Sequence, residues 1–577
     1  MKTPQDVEWA WDGSHFHLLQ SRPITSLIGR NIYSNRMVSE MVPGLIKPLV
    51  WSTNTTAMMR NVFGRMFTAL LGPNDIDFSL LIKRIHSRIY ANNTMMGELF
   101  ERVGMPANFF EMMSRDERAE RRHPPMNLKM LRSMLRVLKF AWRHSRVADE
   151  ISAFIERHEQ DLEYYRKADW SSQEPEALLA QFEELAKLHS ETQWFTFIGP
   201  LNMQMRNRLL CQVVEKWAPD VVPSDLIRGL VGLKALEPNS ELHKLAKQAR
   251  ALDPDLQRLL TEKDDQTIRE ALSTSAEGRA LVRQVDTLLE RYGFLSTNGT
   301  DFSRTPWAEN PTLIWHAIGR AAANPMEPVT ENVEAIREEA RQRVRAHLNW
   351  LQRWFFDRLL ASTITYIDLR ERSSLLMSED SYQMRRIFLA LGNRLTARGD
   401  LEQAEDIFYL MYDELKQLVA GELDAETAKS LVVTRREEME ADALIELPDT
   451  ICGDYVPTHP ITPAEDLECL VGISGSSGCA QGYARVIFDP SEAPTTLTKD
   501  DILVVPFTDV GWTPLFSGIG GVVAETGGQL SHSAIVAREY GLPAVVNVKK
   551  VTHLVKDGQP ITVDGNNGRV YLKHVLS

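Results

Sequence analysis

The stretch Gly527-Gly528-Gln529-Leu530-Ser531-His532-Ser533-Ala534-Ile535-Val536-Ala537-Arg538 sets a histidine between two serines, behind paired glycines and ahead of an apolar helical pattern. These residue types suit one chemistry. A neutral imidazole is a nucleophile that can take up a phosphoryl group and pass it on. A helix mouth offers unpaired N–H groups and partial positive charge, which favour the neutral ring first and a phosphate dianion afterwards. Gly527 and Gly528 permit an unusual turn and let a bulky group come close. Ser531 and Ser533 can donate hydrogen bonds to phosphoryl oxygens. Arg538, about two helical turns further on, either adds positive charge or orients the helix. A lone histidine at a helix start is usually a cap or a packing residue; these neighbours point to chemistry instead.

The elements that must position this group form a compact α/β pattern over 471–577. Short β-branched runs at 484–488, 502–507, 521–526, 544–548, 561–564 and 569–572 predict strands separated by glycine-bearing turns. A helical pattern at 533–540 is stopped by Gly541 and Pro543. Ahead of this domain, 451–470 carries Pro457, Pro460 and Pro463 and predicts a stiff, extended linker. Residues 28–450 are dominated by helical periodicity: Leu128, Leu131, Leu135 and Leu138 share one face, and 336–360 and 381–398 predict further long helices. Residues 1–27 differ again. Asp12-Gly13 between 6–11 and 16–20 predicts a β-hairpin, too small to stand alone and therefore the end of a larger domain.

The chain has 577 residues, more than one core can serve. Its net charge of -13 argues against a general nucleic-acid binder, which needs a positive field. No signal pattern or long apolar run predicts secretion or a membrane span, and a cytoplasmic location follows. The four cysteines include no C-x-x-C pair.

The histidine motif resembles that of the PEP-utilising enzymes, the family of phosphoenolpyruvate synthase, pyruvate phosphate dikinase and rifampin phosphotransferase, in their mobile phosphohistidine domain. The flanks TDVGWTPLF (508–516), GLPAVV (541–546) and DGQPITVDG (557–565) resemble that domain too. Leu530 looks more like the rifampin phosphotransferase branch, and Asn547 stands where a glycine is usual. The hairpin resembles the last two strands of the family's ATP-grasp nucleotide domain. That resemblance implies that Glu8 faces magnesium and that Gln20 and Arg22 face the phosphates. Residues 35–52 and 405–414 resemble the ends of the family's helical acceptor domain, with Trp51 a candidate pocket wall. Residues 291–303 take the place of a Gly-His-Arg-Gly element found in some relatives.

The implied architecture is a multidomain α plus α/β protein: an ATP-grasp remnant (1–27), a helical acceptor-substrate domain (28–450), a linker (451–470) and a swivelling phosphohistidine domain (471–577). The implied activity is ATP- and Mg²⁺-dependent phosphotransfer. His532 carries a phosphoryl group to a small hydroxyl acceptor, and a separate ATP-grasp subunit supplies the nucleotide site, as in phenylphosphate synthase. No nucleic acid or membrane partner is expected. The alternatives are a phosphoenolpyruvate synthase-like protein of other specificity and a non-catalytic phosphocarrier.

Overall fold

A computed structural model describes residues 5–13, 16–23, 31–36, 38, 42–107, 136, 139–140, 142–143, 147–227, 237–323, 330–453, 456, 459–460, 468–490, 493–494, 497–516, 518–528 and 531–572. The leucines of the predicted face, Leu128, Leu131, Leu135 and Leu138, with Gln529, Leu530 and two of the linker prolines, Pro457 and Pro463, lie outside these residues.

The molecule is multidomain, with a large helical region and an α/β region after it. The hairpin forms as predicted, from β1 (Gln5–Trp11) and β2 (Phe16–Pro23), with Gly13 at φ 97° in the turn. Its apolar side chains Trp9, Phe16, Leu18 and Leu19 are all more than half exposed. A two-stranded ribbon with so little covered surface gains little from its own burial.

The helical region also holds strands that its periodicity does not reveal. Those strands, β3 (Ile32–Ser34), β4 (Ile82–Ile85) and β5 (Arg88–Asn92), join β7 (Thr450–Cys452) in the order β4-β5-β3-β7. Two short strands, β6 (Ile445–Glu446) and β8 (His459–Pro460), pair beside them. The sequence at 336–360 reads as one helix, yet the chain forms two, Thr330–Ala346 and Trp350–Arg398. The reason lies in Asn349: its side chain and that of Gln352 make a reciprocal capping box, which starts a new helix there. That helix runs 49 residues and absorbs the predicted 381–398 element, ending at Gly399 with φ 82°. It packs along the 43-residue helix Pro175–Trp217, and both feed the main apolar core through Phe182, Ile198, Ile387 and Phe388. No helix among the described residues is long and apolar enough to cross a membrane.

The C-terminal sheet comprises β9 (Cys469–Val471), β10 (Ile473–Ser476), β11 (Cys479–Val486), β12 (Asp501–Val505), β13 (Gly521–Ala524), β14 (Ala544–Val546), β15 (Pro560–Asp564) and β16 (Arg569–Tyr571). Its order is β10-β14-β13-β12-β11-β15-β16-β9, with β11 to β14 parallel. The inner strands read as unbroken apolar runs because both faces are covered. Leu503 and Val505 enter one core layer, Ile502 and Val504 the other, and all four are fully buried. The first layer holds the helix that follows His532; the second holds the short helix Val551–Leu554.

Candidate active site

His532 is the first residue of the helix His532–Glu539, one position earlier than the sequence pattern predicts. The shift comes from Ser531, which is the N-cap: its backbone is extended and its hydroxyl oxygen accepts from the N–H of Ala534. Gly527, at φ 119°, makes the turn between β13 and the helix, and a Cβ there would meet Ser531 Oγ at 2.8 Å. The same substitution at Gly528 meets open space, so this glycine leaves room beside the helix mouth. Thr508 donates its hydroxyl to Ser533 Oγ at 2.9 Å, which ties the helix to the loop after β12. Arg538 is buried.

The His532 side chain is buried, and among the described residues its Nε2 has no hydrogen-bond partner. Burial, helped by the positive charge of Arg370, pushes its pKa down to about 3. The ring is therefore neutral at ordinary pH, with one nitrogen uncommitted. An unsatisfied buried polar atom of this kind asks for an explanation, and a reactive role is one.

Sequence reasoning missed a charge that acts on His532, that of Arg370. Arg370 lies in the long helix Trp350–Arg398, in the helical region, and bonds Glu371. Burial raises the Glu371 carboxyl, although Arg370 pulls the other way. Burial likewise raises Asp509, opposed by N–H donation from Gly299 and Val510 and by Arg370. Glu371, Ser378, Glu379, Asp380, Ser381 and Arg385 are polar side chains buried along the same helix. Its periodicity alone does not separate a buried polar stretch from a solvated one.

Part of that stretch supports a loop. Asp380 accepts from His158 Nε2 at 2.7 Å and His189 Nδ1 at 2.9 Å. Burial would raise its carboxyl, but the two histidines hold it down to about 2. His189 Nε2 reaches Asn54 Oδ1 at 2.8 Å, and Asn54 Nδ2 donates to the carbonyl of Thr300 at 2.6 Å. Asn54 is aimed by a π-helical turn, Trp51–Thr55.

A cavity of about 1420 Å³ lies between the helical region and the C-terminal sheet. Lys47, Met59, Phe63, Arg304 and Tyr409 line one side, Phe507, Glu525 and Thr526 the other. His532 does not line it, but Thr526 and Phe507 adjoin the residues that hold the histidine helix. Trp51 packs on the main core and is not among the lining residues.

Residues 497–568 match the PEP-utilising enzyme mobile domain. The histidine domain is thus of the PEP-utilising enzyme mobile-domain type. Residues 195–371 match the rifampicin phosphotransferase fourth domain, which places Arg370 and Glu371 at the end of that match. Along 98% of its length the chain is 27% identical to rifampicin phosphotransferase of Bacillus cereus, and it covers 66% of that protein. The figures for the Bacillus subtilis rifampicin phosphotransferase are the same. The chain is also 30% identical to the prodigiosin synthesizing transferase PigC of Serratia marcescens, over 56% of this chain and 37% of that one. It thus spans about two thirds of the length of the rifampicin phosphotransferases it matches. As a PEP-utilising enzyme mobile domain, the C-terminal sheet carries His532, Ser531, Ser533, Gly527 and Gly528 together at one helix mouth.

The residues assigned to the nucleotide are elsewhere, on the hairpin. Its register sets Glu8 opposite Gln20 and Asp6 opposite Arg22, positions that share one face. Glu8 is exposed and Gln20 half-buried. Among the described residues no three His, Cys, Asp or Glu side chains are gathered to hold a metal ion. A carboxylate beside an amide suits part of a Mg-nucleotide site in chemistry, and needs further residues to complete one.

Proposed function

We propose that the chain is the phosphohistidine-bearing component of an ATP-dependent phosphotransferase. It carries a phosphoryl group on His532 from an ATP-grasp site to an organic hydroxyl acceptor. One observation carries this reading: a buried, neutral His532 at a helix mouth, its Nε2 unpartnered among the described residues, under the field of Arg370. The family of the mobile domain supports it.

Mg-ATP is the donor in this reading, and its β-phosphoryl is the group carried. Glu8 would face the metal and Gln20 and Arg22 the phosphates, within a nucleotide site completed by a separate ATP-grasp subunit. The exposed Trp9, Phe16, Leu18 and Leu19 favour a covering partner for the hairpin. In charging, Nε2 forms an N–P bond to the β-phosphorus as the Pα–O–Pβ bridge breaks and AMP leaves, and water takes the γ-phosphoryl away as inorganic phosphate, so that one phosphoryl remains on Nε2. In discharge, the acceptor oxygen forms an O–P bond as the N–P bond breaks, and the imidazole returns to its neutral form. The hydroxyl proton must pass to a base, and we assign Glu371, buried beside Arg370 with its carboxyl raised. Arg370 stabilises charge on the phosphoryl oxygens in transit.

In this reading the cavity holds the bulk of the acceptor, and its hydroxyl reaches His532 past Phe507 and Thr526, which adjoin the residues that hold the histidine helix. The cavity's volume of about 1420 Å³ exceeds that of ordinary small-ligand pockets, and its walls mix apolar side chains with Lys47 and Arg304. That suits a bulky, largely apolar alcohol or phenol, in keeping with relatives named for rifampicin. The test is reconstitution with an ATP-grasp subunit and a screen of hydroxyl compounds. Formation of a phosphomonoester that requires both His532 and Arg370 supports the reading; turnover undiminished in His532→Ala overturns it.

A further inference from the structure

One short turn of the histidine domain packs directly against the helical region. Gly511 lies in the short 3-10 turn Val510–Leu515. A Cβ built there would stand 1.9 Å from the Ser296 carbonyl oxygen, 2.4 Å from Ser296 C and 3.1 Å from Thr297 N. All three atoms belong to the helical region. Gly511 is not among the residues at positive φ, so its own conformation does not demand glycine. The missing side chain serves close approach between two domains.

Its neighbours complete the contact. Asp509 Oδ2 accepts from the N–H of Gly299 at 2.8 Å. The Trp512 indole donates to the Thr297 carbonyl at 3.1 Å, and the Trp307 indole donates to the Gly511 carbonyl at 3.3 Å. Val510 is buried in the same apolar cluster as Leu295 and Trp307. The receiving loop cannot easily retreat. Ser381 holds the Gly299 carbonyl at 2.7 Å and Asn54 holds the Thr300 carbonyl at 2.6 Å.

We propose that Gly511 and Asp509 are positioning residues that dock the His532 domain on the helical region, and that they serve the discharge of phosphohistidine but not its charging. The docking itself stands on the contacts above; the assignment to one half-reaction rests on the phosphotransfer reading. A methyl group at 511 meets fixed backbone, so the docked state should lose population about tenfold or more. Charging takes place away from this contact and should be unmoved.

The test uses the full chain and two variants, Gly511→Ala and Asp509→Ala, in hydrogen exchange resolved by peptide. Expected is faster exchange at the Gly299 amide, by about tenfold or more, with β12 and β13 still protected. Unchanged exchange at Gly299 in both variants overturns the docking role. Loss of protection across β12 and β13 in both overturns it too, since the residues would then serve their own domain's fold. With the ATP-grasp partner and labelled ATP, Gly511→Ala should charge His532 at the normal rate and discharge it about tenfold more slowly. Equal slowing of both steps overturns the assignment to discharge. Absence of label on His532 in wild type and variant alike defeats the phosphotransfer reading, and with it that assignment, and leaves the exchange result to decide docking.

Discussion

Thr508 donates its hydroxyl proton to Ser533 at 2.9 Å, so the loop that follows the central strand β12 holds the helix that begins with His532. Thr508→Val keeps the shape and removes the donor. The expected cost is about 1 kcal/mol of stability, read from the urea midpoint, with slower phosphoryl uptake as the helix mouth loosens. An unchanged midpoint together with unchanged uptake would remove this tie from the account.

The central strands should dominate the stability of the histidine domain. Leu503→Ala empties a fully buried site in β12 and is expected to cost about 2–5 kcal/mol. Leu18→Ala, on the exposed hairpin, is expected to stay within about 0.5 kcal/mol. Equal effects in urea unfolding would contradict the burial pattern.

These two extremes also mark what was legible in the sequence. The inner strands of the C-terminal sheet are short apolar runs between glycine turns, and 502–507 and 521–526 fall within two residues of the observed ends. The hairpin was equally plain, from Asp12-Gly13. Strands β3, β4, β5 and β7 were not legible, since three to five residues inside a helical region carry too little pattern. At the site, Ser531, His532 and Ser533 stood together in one motif. Arg370 and Glu371 belong to the helical region, far in sequence from His532, and only the folding of the chain brings the charge of Arg370 to bear on it. Asn547 adopts φ 56°, the left-handed conformation that its amide side chain tolerates where a glycine is usual.

The buried neutral histidine has a pH signature. Its folded pKa of about 3 lies below the unfolded value near 6.5, so between these values the unfolded chain binds the extra proton. His532 therefore costs stability progressively as pH falls below about 6.5. Asp509 and Glu371, raised by burial, act with the opposite sign: they favour the folded state below their raised pKa values and lose that contribution as pH rises through them. Comparison of wild type with His532→Ala isolates the histidine from the carboxyl groups. Wild type should lose about 2 kcal/mol relative to the variant between pH 7 and pH 5. A flat difference would mean that the ring is not buried neutral.

Arg370, whose charge acts on His532, and its partner Glu371 should act on one half-reaction. Arg370→Met is expected to slow discharge by about 10²–10³ through lost charge stabilisation, and Glu371→Gln by about 10² through the lost base. Charging should remain near normal in both. Rapid-quench measurement of each half-reaction decides, and a variant that discharges normally loses its assigned role.

Arg22→Ala addresses the other end of the chain. It should block charging from ATP while pre-formed phosphohistidine discharges at the normal rate. Normal charging would remove the nucleotide role from the hairpin face that carries Glu8 and Gln20.

The central claim is that His532 itself holds the phosphoryl group. The direct measurement is peptide mapping of the chain after incubation with its ATP-grasp partner and ATP labelled in the β-phosphate. The account predicts acid-labile, base-stable label on the peptide containing His532, and none anywhere in His532→Ala. Label that persists undiminished in His532→Ala would contradict it.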